Sequence, residues 1–299
     1  MPSLAEELQL SKTTMEEFRS ITEKILNWMP LIIDEQIEYN DYLICSSTTA
    51  GTRKTIRPFN KNLFVQSGEQ FNDMYKLHVD TLEKAKNGQT KFEAELYLNL
   101  DKVTYTIQQA IGIGFDILVE QNSARKHVGN RFEELIRTLL TEINIPLKKI
   151  VLSIPYETES GIKYYKCETD VIISPYESVR SDTQNIDPNE IVLSLKTTTK
   201  DRMPKIFIDK ILMEKFLEHP VRMIGISQND VQRKQDKDGT KISYTFVSNL
   251  FMVYTKFLAK LEGYYYLDPP KKALELPFCN HIFPFSQFIL KDIHTLLNA

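Results

Sequence analysis

Glycine and proline are scarce, ten and thirteen in 299 residues, too few for a repeat array or a long disordered linker, so a compact chain is expected. Cysteine is scarcer. Cys45, Cys167 and Cys279 are odd in number and far apart, with no CxxC and no His-Cys cluster, which argues against a disulfide framework or a zinc site and fits a reducing cytoplasm. No apolar run reaches the roughly 18 residues that a membrane span needs. Glu6 and Glu7 stand where a signal peptide would be basic and then apolar, so a soluble, unexported protein with no membrane partner is expected. Basic charge is not in excess either. A formal net charge of -3 and a pI near 6.0 exclude coating of nucleic acid by charge alone, though not a specific binder whose contact face alone is basic.

What the chain does have is hydrophobic residues, 42% of the total, enough for one large domain or two modest ones. Residues 1–120 read as a mostly helical region suited to dimerisation or DNA contacts. Apolar positions recur at helical spacing through Phe18, Ile21, Ile25, Leu26 and Trp28, with Pro30 closing the helix, and again through Met74, Leu77, Val79 and Leu82. Between them, residues 46–58 read as a polar loop in which Arg53, Lys54 and Arg57 could reach a phosphate backbone. Residues 92–118 hold a longer helical pattern whose Gly112 and Gly114 suggest close packing.

From residue 121 the texture changes, and residues 121–299 read as a second region packed with the first. Residues 122–130 are polar and basic, with Arg125 and Lys126 as further backbone or flanking contacts; an amphipathic helix then carries Phe132, Leu135, Ile136, Leu139 and Leu140 on one face. Glu133 lies beside that face near the helix start, and Glu134 points elsewhere. Strands are expected at 149–153, 163–173 and 190–196, the first two joined by a turn at Glu159, Ser160 and Gly161. A helix after Asp209 ends at His219 and Pro220. Strands at 221–226 and 242–254 flank a charged loop at 232–239. The order implies an α/β sandwich around a mixed sheet; residues 255–299 have no clear assignment.

Residues 191–209 hold the most informative stretch. A buried-strand run, Ile191-Val192-Leu193-Ser194-Leu195-Lys196, breaks off into hydroxyls and alternating charge. Asp170 ends the preceding strand. Hydrolysis of a phosphodiester needs Mg²⁺ or a similar ion held by carboxylates, and a lysine can orient the attacking water and offset negative charge on the phosphate. In the usual arrangement a second acid sits two residues before the lysine, on the same side of the strand. Here that residue is Ser194, a poor metal ligand.

Ser194-x-Lys196, the Lys200-Asp201-Arg202 triplet, an acid thirteen residues after Lys196 and Gly129-x-x-Phe132-Glu133 together resemble the type II restriction endonucleases of the PD-(D/E)XK superfamily, specifically their CCGG/EcoRII-like group. The resemblance spans about residues 120–215. It implies a restriction-endonuclease-like core, a mixed β-sheet flanked by helices, and one or two Mg²⁺ per active site. Asp170, Lys196, Asp209 and Glu133 would be catalytic, with Asp170 and Asp209 holding the metal. The group moves its second acid from the strand to the following helix. Asp209 takes that place where relatives have Glu, with Glu214 as the fallback. Lys200, Asp201 and Arg202 would read consecutive G·C pairs, since Arg and Lys donate to guanine and an acid accepts from cytosine. The implied activity is double-strand cleavage of palindromic DNA with a CCGG or CCNGG-type core, leaving 5′-phosphates. A homodimer or a tetramer and a companion DNA methyltransferase, in the cytoplasm of a prokaryotic cell, belong to the same expectation. Two other readings compete: a repair or junction nuclease of the same fold that reads shape, and a catalytically degenerate, sequence-specific DNA-binding protein.

Overall fold

Two capping boxes open the chain. Ser3 and Thr14 accept from the backbone N–H of Glu6 and Glu17, whose carboxylates reach back to the caps, satisfying donors that a helix start leaves orphaned. They begin α1 (Leu4–Gln9) and α2 (Met15–Ile32). Pro30 lies inside α2 instead of closing it; proline's φ is helical, and buried Leu26 and Met29 hold the last turn down. The computed structural model describes residues 3–49, 51–237 and 239–298.

The polar segment expected as a loop at 46–58 is largely sheet. β1 (Glu35–Tyr39), β2 (Tyr42–Thr49), β3 (Thr52–Thr55) and β4 (Phe59–Asn60) pair antiparallel. Threonines suit the exposed face of a strand, and Gly51, at φ 76°, lies between β2 and β3, so polarity here marks a solvated face and not a loop. Ala50 and Asp238, within two of the expected loops, lie outside the described residues.

Helices α3 (Gly68–Lys86), α4 (Ala94–Leu118) and α5 (Gln121–Glu142) follow. α4 is buried on most sides and packs against α1, α2, α3 and α5. A side chain at Gly112 would strike the Arg57 guanidinium, and one at Gly114 would strike Leu8 and Ile25, so both expected close approaches are present. α5 begins ten residues before the expected start at Arg131 and takes the basic segment into the helix. Ala124 and Val128 are buried and His127 stacks on Phe115, which anchors the added turns. Glu133 is therefore mid-helix, away from the N-terminal dipole.

The remaining elements are β5 (Leu147–Lys148), β6 (Val151–Thr158), β7 (Gly161–Glu168), β8 (Val171–Ile173), β9 (Ile191–Lys196), α6 (Met203–Leu217), β10 (Arg222–Ser227), β11 (Val231–Asp236), β12 (Gly239–Tyr244), α7 (Ser248–Phe257), β13 (Gly263–Tyr266), β14 (Ile282–Pro284) and a helical end over 285–297. β6 and β7 form the expected hairpin. The strand expected over 163–173 is broken at Thr169 and Asp170, where the chain leaves that hairpin for the central sheet. The Thr169 backbone N–H and hydroxyl both donate to the Ile150 carbonyl, fixing the break. The charged segment at 232–239 is a hairpin, β11 with β12. The strand expected over 242–254 stops at Tyr244; α7 follows because Phe251 and Tyr254 pack edge-on against Phe207 of α6. The helix of Asp209 likewise starts earlier than expected, at Met203.

The central sheet has six strands in the order β14-β13-β10-β9-β8-β5. β9, β10, β13 and β14 are parallel, and β8 and β5 are antiparallel additions. Side chains alternate between two cores, as the period of a strand requires. Val171, Ile173, Ile191, Leu193, Leu195, Ile224, Ile226 and Tyr265 join the core built with α2, α4, α5 and the C-terminal helical residues. Ile172, Val192, Met223, Tyr264 and Tyr266 join the one built with α6 and α7. By this alternation Ser194 and Lys196 share the face of Val192, the side covered by α6. The first core contains residues of both halves of the chain. Among the described residues no helix is long and apolar enough to cross a membrane.

Candidate active site

Asp170 occupies the bend just before β8, whose Val171 pairs with Leu193 of β9. The antiparallel pairing brings it to the C-terminal end of β9. Its Oδ2 accepts from the Leu195 backbone N–H at 2.7 Å and from Lys196 Nζ at 2.6 Å. Both side chains are mostly buried, Lys196 at 13% and Asp170 at 17% exposure, so their attraction is less screened than that of a surface pair.

The same face of the sheet and the flank of α6 form a polar cleft of about 260 Å³, lined by Asp170, Ser194, Lys196, Lys205 and Asp209 together with Glu168 and Thr169. Asp209 reaches it because α6 lies over the Val192 side of β9. Lys205, one turn earlier on α6, donates to both oxygens of Asp209 at 2.7 Å. Burial lowers the pKa of the Lys205 ammonium, but the hydrogen bond and charge of Asp209 outweigh it, and the net direction is up. Glu214 sits elsewhere: it accepts from Lys210 Nζ at 2.7 Å and the Val221 backbone N–H at 3.1 Å, tying α6 to the entry of β10.

Glu133 approaches the site from α5. Burial, then the negative charge of Asp170, raises its carboxyl pKa against the pull of Lys149, 3.5 Å away. Glu134 points away, binding Arg131, Ser11 and the Lys12 backbone N–H. The four acid and base positions of the sequence reading are thus assembled at one end of β9, three around a single cleft and Glu133 beside Asp170.

Lys200, Asp201 and Arg202 form the exposed turn between β9 and α6, with Arg202 as the residue preceding the helix. Arg202 lines a second cleft of about 310 Å³ with Arg57, Arg125, Gln109, Gln228 and Asn229. The basic residues from the N-terminal half meet different surroundings. Arg57 is bound by both oxygens of Asp116 at 2.9 Å, Lys54 donates to the Ile117 carbonyl at 2.6 Å, and Arg53 pairs with Glu35. Lys126 is exposed on α5. Sequence reasoning missed Lys205, although its spacing of four from Asp209 becomes a helical pairing once α6 starts at Met203.

Among the described residues no group of three His, Cys, Asp or Glu forms a metal cage. Mg²⁺ beside a phosphate needs fewer, since it binds through one or two carboxylates plus substrate oxygens and retains waters. Asp170 and Asp209 are hard oxygen donors in one polar cleft, and the ammonium groups beside them mark positions where cationic charge is stabilised. The residues present fit such an ion.

No family model and no curated protein matches the chain. Among solved structures, the type IIP restriction endonuclease Kpn2I superposes with a TM-score of 0.71 over 95% of this chain and 91% of its own, at 16% identity. The fold is that of a restriction endonuclease. A restriction endonuclease PspGI–substrate DNA complex aligns at a TM-score of 0.43 and 12% identity, over 76% of this chain and 93% of that one. In a restriction-endonuclease fold the Asp170–Lys196 pair lies where a mixed sheet offers two strand ends to one cleft.

Proposed function

We propose that the protein is a type II restriction endonuclease that hydrolyses both strands of a palindromic DNA site with a CCGG or CCNGG-type core, acting as a homodimer or a tetramer. One observation carries the reading: Lys196 and Asp170 are bonded in the wall of a cleft that also contains Asp209, and the exposed turn of the Lys200–Arg202 triplet begins four residues after Lys196. Lys196, the base-reading triplet and Asp209 then lie on one continuous segment, which Asp170 meets from the start of the neighbouring strand. A twofold dimer supplies two such segments to a palindrome. A companion DNA methyltransferase protecting the same site follows from this activity.

Asp170 and Asp209 would hold Mg²⁺, which when bound supplies Lewis-acid polarisation of the phosphate and a more acidic water. Lys196, held by Asp170, orients the attacking water and offsets charge on the non-bridging oxygens. Glu133, whose carboxyl pKa is raised by burial and then by the charge of Asp170, adds a further carboxyl group at the Asp170 end. Lys205 would share Asp209 with the ion or give it up, since a carboxylate that accepts one bond on each oxygen retains lone pairs for a metal.

The Lys205–Asp209 pair also favours a second reading, a DNA-binding protein that does not cut, because an ammonium occupies the second acid. Incubating plasmid DNA with the protein and Mg²⁺, with an EDTA control, separates the two. Discrete fragments with mappable 5′-phosphate ends support restriction, and their ends give the site; sequence-specific retardation without cleavage supports the binder. Smeared products would overturn both in favour of a nuclease that reads shape.

A further inference from the structure

β10 ends at Ser227, beside Lys196 in the parallel pairing, and the chain continues to Asp230. Asp230 is 1% exposed. Its Oδ1 accepts from the Thr199 backbone N–H at 2.8 Å, the Thr198 hydroxyl at 3.3 Å and the Thr245 hydroxyl at 3.2 Å. Its Oδ2 accepts from the hydroxyls of Thr199 and Tyr266, each at 2.6 Å. Five donors therefore converge on one carboxylate, which saturates its lone pairs without a cationic side chain among the described partners.

Burying a charged group without a counter-ion is costly unless hydrogen bonds compensate. What this arrangement accomplishes is geometric. Three of the five donors belong to Thr198 and Thr199, the residues between Lys196 and the triplet. On one side, the Gln228 backbone N–H donates to the Lys196 carbonyl at 3.0 Å, locking the end of β9 to the segment that carries Asp230. On the other, the Thr199 carbonyl accepts from the backbone N–H of Arg202 at 3.0 Å and of Met203 at 2.9 Å. Those two bonds shape the turn that displays the triplet and start α6, which carries Asp209 six residues on. Thr198 and Gln228 also line the cleft of Arg202.

We infer that Asp230 is a positioning residue that couples base reading to phosphodiester cleavage, by holding Thr199 in a fixed relation to Lys196, the triplet and the start of α6. The inference rests on the nuclease reading. A displaced triplet would then shift Lys196 and Asp209 together, so an incorrect base pair would be felt at the cutting groups through Thr199.

The test compares Thr199→Val, Asp230→Asn and Ser286→Ala, after the wild-type site has been mapped on plasmid DNA. Thr199→Val keeps the shape and the backbone donor but removes the hydroxyl. Ser286→Ala removes a comparably buried hydroxyl from a carboxylate, Asp101, remote from the site, and controls for lost stability. kcat and KM are measured on the mapped duplex and on duplexes with one substituted base pair. Thr199→Val is expected to lower kcat on the cognate duplex and the cognate-to-mismatch ratio of kcat/KM by about tenfold each, with KM little changed. Asp230→Asn, which can still accept from the Thr199 N–H, should fall between it and wild type, and Ser286→Ala should match wild type in both. Thr199→Val with wild-type rate and discrimination overturns the inference while leaving the nuclease intact. A wild-type protein that cuts no DNA removes the nuclease reading and the inference together.

Discussion

Lys196 Nζ and Asp170 Oδ2 are 2.6 Å apart although 26 residues separate them in the chain, and the same oxygen accepts from the Leu195 N–H. Asp170 thus holds the lysine's backbone and its ammonium at once. Lys196→Met keeps the aliphatic stem and removes the charge. It should reduce cleavage by about 10²–10³-fold, the scale of removing one preorganised donor, and leave specific DNA binding in place. Gel retardation and single-turnover cleavage read the two separately; full cleavage activity would exclude Lys196 from the chemistry.

Asp209 and Glu214 are distinguished by their partners. Asp209 lines the cleft with Lys205, whereas Glu214 fastens Lys210 and the Val221 N–H. Asp209→Ala is expected to abolish Mg²⁺-dependent cutting with little change in thermal stability. Glu214→Ala should instead lower stability by about 1–3 kcal/mol, because a buried donor is left without its acceptor, while the folded fraction still cuts. The reverse pattern in denaturation and cleavage assays would move the second acid to Glu214.

Arg202 stands exposed in the turn after β9, while Arg53 is paired with Glu35 at the edge of the N-terminal sheet. Arg202→Ala should weaken cognate binding by about 1–3 kcal/mol, the scale of one bidentate base contact, and bring it towards the affinity for unrelated DNA. Arg53→Ala should alter cognate and unrelated binding alike. Titrations with both duplexes at one fixed salt concentration decide the matter, and equal losses on the two duplexes in Arg202→Ala would reassign it to the phosphate backbone.

The sequence carried the end of β9 well because a strand buried on both faces needs consecutive apolar residues, and Lys196 breaks that run visibly. Asp209 is assigned to the following helix only through the family resemblance, because the helical pattern reads as beginning after it, whereas α6 starts at Met203. The N-terminal sheet was not legible. Its strands are short and solvated on one side, so Thr48, Thr52 and Arg53 look like loop residues. β13 escaped for the opposite reason: Tyr264, Tyr265 and Tyr266 are all buried, which gives no alternation to read. Asp230 could not be seen because its meaning lies in donors from Thr199, Thr245 and Tyr266, which only the fold brings together.

Asp101 of α4 accepts from the backbone N–H of Ser286 at 2.8 Å and from its hydroxyl at 2.6 Å, tying the central helix to the C-terminal helical residues. Burial raises its pKa to about 7, against the opposing pull of those two hydrogen bonds. The folded state therefore holds a proton that the unfolded chain releases from about pH 4 upward. Its contribution to stability is fully present below that pH and is lost as pH rises to about 7, at about 1.4 kcal/mol per pH unit within the window. Buried Asp268, raised to about 6, adds a slope of the same sign, and buried His78, lowered to about 3, adds one of opposite sign up to its unfolded value of about 6.5, so the comparison of one variant with the wild type is what isolates Asp101. Asp101→Asn cannot ionise, so its Tm should gain on the wild type as pH rises from about 5 to 8, with the final gain between 6 and 7. Denaturation curves of the two proteins that stay parallel across that range would show that Asp101 is ionised in the folded protein at both ends.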